Sequence, residues 1–226
     1  MKRIYTLLLL AAIVALTGCA PKMLTKGDAF PNHYKEMPLS ILVLPPVNTT
    51  TAADARDFYL TTLADPLAFS GYYVHSTELV SEILRYEGIP DSDLLLSTPP
   101  QKFKEYFGAD AVLYTTINKW DTSYYVIGGN VTVDVSYVLK SANTGDELWR
   151  YSGEMKIDTT GENRVGGLLG LALQLVETAV KTAATDYVPI ARRVNYMVMT
   201  TLPFGKYNAQ YNVDRQFPVV MESKLK

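Results

Sequence analysis

The chain has 226 residues, of which 48% are hydrophobic and 19% charged, with a formal net charge of −2. That balance is ordinary for a globular protein and offers no basic cluster for nucleic acid. Cys19 is the single cysteine, so no internal disulfide is available and a hydrophobic core must hold the fold.

Lys2 and Arg3 precede an almost wholly apolar run at 4–16, which is followed by Thr17 and Gly18. Charged, then apolar, then small is the order of a secretory signal. The apolar stretch, about 13 residues, falls short of the roughly 20 that a bilayer span requires. Residues 1–18 are therefore expected to be a cleaved signal peptide. Leu16-Thr17-Gly18-Cys19 resembles the lipobox of bacterial lipoproteins. The resemblance implies cleavage before Cys19, a diacylglyceryl thioether on its sulfur and an acylated α-amine, chemistry suited to a thiolate nucleophile. Ala20 at the next position implies sorting to the outer membrane. The competing reading is an ordinary signal peptide followed by a free cysteine, which would leave an unpaired thiol in an exported protein. Cleavage removes Lys2 and Arg3, leaving 208 residues with 19 basic and 23 acidic side chains, a net charge of −4.

Residues 19–38 contain three prolines, a glycine and no periodicity, and read as a flexible lipidated tether. An α/β domain is expected at 39–201. It opens with SILVLPPV (40–47), a buried strand closed by Pro45-Pro46. Thr49–Thr51 offer caps for a helix in which Ala55, Tyr59 and Leu63 repeat every four residues, and Asp65-Pro66 reads as the start of a further turn. Tyr72–His75 is a second short strand. Ser76 or Thr77 caps a helix with Leu79, Val80, Ile83 and Leu84 on its core face. Ser97-Thr98-Pro99 opens a third helix that ends at Gly108. Ala111–Trp120 reads as a strand, and Val131, Val133, Val135, Tyr137 and Leu139 alternate with polar residues in another. Asn143-Thr144-Gly145-Asp146 is a turn before the returning strand 148–157. A long helical stretch at 167–199 is interrupted at Pro189, and the tail 202–226 is expected to be extended. The order β-α-β-α-α-β-β-β-α predicts one mixed sheet of about five strands with helices packed on it.

Catalytic and metal chemistry leave little trace. His33 and His75 are too distant in sequence and setting to suggest a metal pair. Gly166-Gly167-Leu168-Leu169-Gly170 lacks the lysine, serine or threonine of a phosphate loop, and Asp54, Asp57, Asp91, Asp93 and Asp134 are scattered among caps, turns and strands. The sequence thus points to a non-enzymatic protein with no metal and no cofactor. The apolar stretch 165–176 has three readings: a core helix, a partner-facing helix, or a segment dipping into the bilayer. On the second, Leu168, Leu169, Leu171, Leu173 and Val176 form a candidate interface, with a homo-oligomer as one outcome.

SILVLPPVN (40–48), SGYYVHSTELVSEILRYEG (70–88), FGADAVLYTTINKW (107–120) and VDVSYVLKSANTGDELWRYSG (133–153) together resemble a fold found in several periplasmic proteins. These include the curli-secretion-channel lipoprotein, the N-terminal domain of the Tol-system propeller protein and outer-membrane activators of penicillin-binding proteins. Pro45, Gly71, Gly108-Ala109-Asp110, Asn143-Thr144-Gly145 and Trp149 occupy the matching places. Within that fold, the chain resembles a family of bacterial lipoproteins of unknown function that includes a neisserial surface-antigen candidate. The resemblance implies an outer-membrane lipoprotein facing the periplasm, serving as an accessory or scaffold subunit with a curli-channel-like lipoprotein and other envelope proteins. A regulator of peptidoglycan synthesis is the alternative, and an envelope-polymer hydrolase a further one. The long membrane-inserting hairpin of the curli channel has no counterpart beyond the hairpin that the sheet requires, which argues against a pore formed by this chain alone.

Overall fold

The computed structural model describes residues 24–89, 92–125, 128–158 and 188–219. SILVLPPV supplies β1 (Ser40–Val43), where Ile41 and Val43 bury on one face and Leu42, with Leu44 beyond it, on the other. A strand apolar on both sides suits a parallel position covered twice. β1 duly lies parallel to both β3 (Tyr73–Val74) and β4 (Ala111–Tyr125). Pro45 and Pro46 interrupt the ladder, and β2 (Val47–Asn48) resumes pairing farther along β4. β5 (Gly128–Ser141) and β6 (Glu147–Asp158) add an antiparallel meander, giving the order β3-β1-β4-β5-β6 with β2 beside β4. Alternation along β5 is as expected: Val131, Val133, Val135, Tyr137 and Leu139 are buried, and the residues between them are not. β4 runs past Trp120, its expected end, through the β-forming Thr122, Tyr124 and Tyr125, and pairs with β5 as far as Tyr125 and Gly128.

The described part of the tether is folded instead of flexible. Thr25 caps α1 (Lys26–Ala29), Pro31 opens α2 (Pro31–Glu36), and Phe30, His33 and Tyr34 are buried. These helices are too short to show a period, so the sequence signal was their apolar side chains alone. α3 (Ala55–Phe69) buries Ala55, Tyr59, Leu63 and Leu67 completely. It starts after Asp54 without a side-chain cap and continues through Pro66 instead of restarting there. The missing hydrogen bond falls near the helix end, where burial of the Pro66 ring offsets a cost of about 3 kcal/mol.

α4 (Thr77–Tyr86) is capped by Ser76, whose hydroxyl accepts from the Leu79 amide at 3.3 Å. Val80 and Leu84 are buried, but Leu79 and Ile83, expected on the same face, are exposed. They lie about 100° around the helix, beyond the row that reaches the sheet. α5 (Ser92–Ser97) was not expected, whereas α6 (Pro100–Phe107) ends at Gly108 as anticipated. In α7 (Val188–Met199), Pro189 is buried and the described helix continues from it without a break to Met199. α3 and α7 cover one face of the sheet, and α4, α5 and α6 cover the other at β1 and β4. The described tail is not extended: it folds into turns and a 3-10 helix at Val213–Gln216 that packs on α1.

Gly108-Ala109-Asp110 has a structural role. Asp110 Oδ2 accepts from the Leu39 amide (3.1 Å), the Ser40 amide (3.1 Å) and the Ser40 hydroxyl (3.2 Å), tying the start of β1 to that of β4. Asp110→Ala is expected to cost about 2 kcal/mol in chemical denaturation, because it leaves three donors without their acceptor. Asp110→Asn should recover part of that loss.

Candidate functional site

β1 and β3 are parallel neighbours, yet their outgoing connections leave to opposite faces, to α3 and to α4 respectively. In open α/β sheets such a divergence opens a crevice beyond the carboxyl ends of the strands, the usual place for a ligand. A crevice of about 540 Å³ lies there, floored by Pro45, Leu60, Leu84 and Ile89. Arg56 and Asp57 line it from α3, while Glu78, Ser81, Glu82 and Arg85 follow one stripe of α4.

Both walls therefore carry both signs of charge. Arg85 stands 3.9 Å from Glu82, both well exposed, a pairing worth little to stability. The Glu78 carboxyl is held below the usual range by its own backbone N–H and by the Ser76 hydroxyl. Ser81 donates its hydroxyl proton to the Thr77 carbonyl at 2.8 Å, an intrahelical bond instead of one to a base. The crevice thus has an apolar floor between two walls of mixed charge. Among the described residues, no group of three or more His, Cys, Asp or Glu is placed to hold a metal.

A second constellation sits at the other end of the fold, where α1 and α2 meet the tail. The Lys26 amide donates to the Phe217 carbonyl at 2.8 Å, and Thr25 forms an antiparallel bridge with Pro218. The buried Lys26 ammonium donates to the Leu202 carbonyl at 2.6 Å, lies 3.8 Å from Asp214 and covers the Phe204 ring. Burial lowers its pKa to about 8 against the opposing pull of Asp214. Asp214 Oδ2 accepts from the Phe204 amide at 2.7 Å. Asp214→Ala should cost about 3 kcal/mol by stranding a buried ammonium, and Lys26→Met added to it should restore much of the loss. A double-mutant denaturation cycle measures the coupling.

Cys19 and the candidate interface Leu168, Leu169, Leu171, Leu173 and Val176 lie outside the described residues. His33 and His75 are not brought together as a site: His33 bonds Tyr72 inside the clasp that α1 and α2 form with the tail, and His75 sits beyond β3. Arg56, Asp57, Glu78, Ser81, Glu82 and Arg85 were missed at the sequence level. The spacing 78, 81/82, 85 does mark one helix face, but solvated faces look the same until another element stands opposite.

Residues 30–203 match the family described as "Putative lipoprotein GNA1162-like". A relative from Neisseria meningitidis serogroup B, described as "Putative lipoprotein NMB1124/NMB1162", is 32% identical over 177 residues, 78% of this chain and 81% of the relative. The crystal structure of lipoprotein GNA1162 from Neisseria meningitidis superimposes with a TM-score of 0.51 at 33% identity, covering 66% of this chain and all of that one.

Proposed function

We propose, for a chain that belongs to the GNA1162-like lipoprotein family, the role of an outer-membrane lipoprotein acylated at Cys19 and acting as a non-enzymatic accessory subunit of an envelope secretion or assembly complex. A family of lipoproteins implies a membrane-anchored envelope protein. The observation that carries the finer reading is the crevice between α3 and α4, an apolar floor flanked by charges of both signs, shaped for a protein contact. Acyl chains contribute about 0.8 kcal/mol per buried methylene, so the chains of a fully acylated cysteine give a firm anchor. The partner is a curli-channel-like lipoprotein, held in the same membrane and met through the crevice.

The test is co-purification of the tagged, full-length, lipidated protein from detergent-solubilised native membranes. Recovery of a secretion-channel lipoprotein, lost on Leu60→Lys while the bait stays membrane-bound and folded, is the expected result. Recovery of a penicillin-binding protein in its place would replace the reading with regulation of peptidoglycan synthesis, and turnover of an envelope polymer by the purified protein would overturn the non-enzymatic role.

A further inference from the structure

The exposed apolar and aromatic side chains form two groups among the described residues, one on α4, α5 and α6 (Leu79, Ile83, Tyr86, Leu94, Leu96 and Tyr106) and one at the end of the fold opposite the crevice. Met37 and Leu39 precede β1, Phe69 and Tyr73 flank the entry to β3, and Tyr207 and Val213 belong to the tail; all six are exposed, Tyr207 at 70% and Tyr73 at 60%. Hydrogen bonds make one collar of these three segments. The Tyr73 amide donates to the Leu39 carbonyl (3.0 Å), the Tyr207 amide to the Gly71 carbonyl (3.1 Å), and the Tyr211 hydroxyl to the Met37 sulfur (2.7 Å).

Charge follows the same division. The mature chain is net acidic, but the exposed charges on the collar segments are Lys35, Lys206 and Arg215, with the half-buried Asp110, which holds the Leu39 amide, and the exposed Asp146 as the acids at the same end. Asp214 is buried, and Glu36 is occupied by the hydroxyls of Ser141 and Thr144. Amphipathic rings with basic neighbours are what a lipid headgroup region takes up.

The chain itself brings a membrane close. Leu24 is bonded to the tail through the Val219 amide and lies five residue steps after Cys19. Fully extended, five steps reach at most about 18 Å, which keeps Leu24 near the bilayer that holds Cys19. We infer that the collar is a second membrane contact, seating the amino ends of β1 and β3 on the bilayer that holds the acylated cysteine and turning the crevice away from it. The inference rests on the lipoprotein reading. α3 separates the two ends, since Arg56 at the crevice and Phe69 at the collar are about 20 Å apart along its axis.

The experiment uses full-length lipidated protein in vesicles of phosphatidylethanolamine and phosphatidylglycerol whose acyl chains carry bromine. Tyr73→Trp, Tyr207→Trp and, at the crevice end, Leu79→Trp each place an indole at an exposed site, while the native Trp120 and Trp149 are buried and give a constant background. The first two should lose about half of their added emission to bromine and shift to the blue, as interfacial rings do; Leu79→Trp should do neither. Vesicle flotation reports the lipid anchor separately. Protein that floats with all three indoles unquenched, or with all three quenched alike, overturns the collar contact but leaves the anchor standing. A blue shift that grows with protein concentration and not with lipid assigns the collar to a second copy of the chain and equally overturns it. Failure to float overturns both readings.

Discussion

Replacing Gly71 by alanine is expected to destabilise the protein by on the order of 4 kcal/mol and to free the tail from α3. Gly71 has φ +94°, a left-handed conformation that costs any side chain about 1–2 kcal/mol. The larger part of the effect is steric. A Cβ there would stand 2.4 Å from the Asn208 amide nitrogen and 2.8 Å from the Gly205 carbonyl oxygen, both backbone atoms that no rotamer can withdraw. Segment 205–208 must move, and with it go the bonds from the Gly205 amide to the Ser70 carbonyl (2.9 Å) and from the Asn208 side-chain Nδ2 to the Phe69 carbonyl (3.2 Å). Gly88→Ala separates the two terms, because Gly88 also has positive φ (+75°) but nothing lies within 4 Å of its would-be Cβ. It should cost only about 1 kcal/mol. Chemical denaturation gives the two values, and hydrogen exchange at the Gly205 and Tyr207 amides reports whether the tail has come away. Equal losses for both variants would mean that the contact with segment 205–208 contributes nothing.

Gly71 also shows where sequence reasoning reaches and where it stops. Its place in the sequence matches the family pattern, but its closest neighbour is 137 positions downstream, and no local pattern carries that distance. The same divide runs through the fold. α3 and β5 repeat with periods that one face of a helix or sheet imposes, so their existence and buried faces could be read directly, while β1 was legible as an apolar run and α6 from its start and stop signals. α1 and α2 are held by Phe30, Tyr34 and Lys26 packing on the tail, contacts that join the two ends of the chain and leave no periodic trace. Leu79 and Ile83 mislead for a related reason: their spacing is that of a core face, and only the width of the sheet decides that Val80 and Leu84 occupy it. The crevice was the least legible. Its charges read as solvation until the connections after β1 and β3 diverge and set Arg56 and Asp57 opposite Glu82 and Arg85.

Acid is expected to open the clasp through His33. The Tyr72 hydroxyl has one proton, which it donates to the Pro203 carbonyl at 2.6 Å, so it must accept the bond from His33 Nε2 at 2.7 Å. That arrangement fixes the imidazole proton on Nε2 and leaves Nδ1 bare, buried and without a hydrogen-bond partner. Protonation would put an unpaired N–H and a charge on a side chain that is 2% exposed and near the Lys26 ammonium. Burial first, and Lys26 second, accordingly hold the His33 pKa down at about 3, against 6.5 when unfolded. The unfolded chain therefore binds a proton that the native state refuses. Stability from this residue is complete above pH 6.5 and is lost as the pH falls toward 3, by about 3 kcal/mol between pH 7 and pH 4. Carboxylates titrate in the same window, so the comparison is with His33→Gln, whose amide nitrogen can reach Tyr72 as Nε2 does but cannot titrate. In denaturant unfolding at the two pH values, the variant should lose about 3 kcal/mol less than the wild type. Parallel losses in the two proteins would show that His33 is not held neutral, and with that the tautomer assigned by the Tyr72 bond would fall. If the clasp opens as predicted, Tyr72→Phe should behave differently again. It removes the donor to Pro203 and the acceptor for Nε2 together, which lowers stability at both pH values and leaves the His33 titration in place.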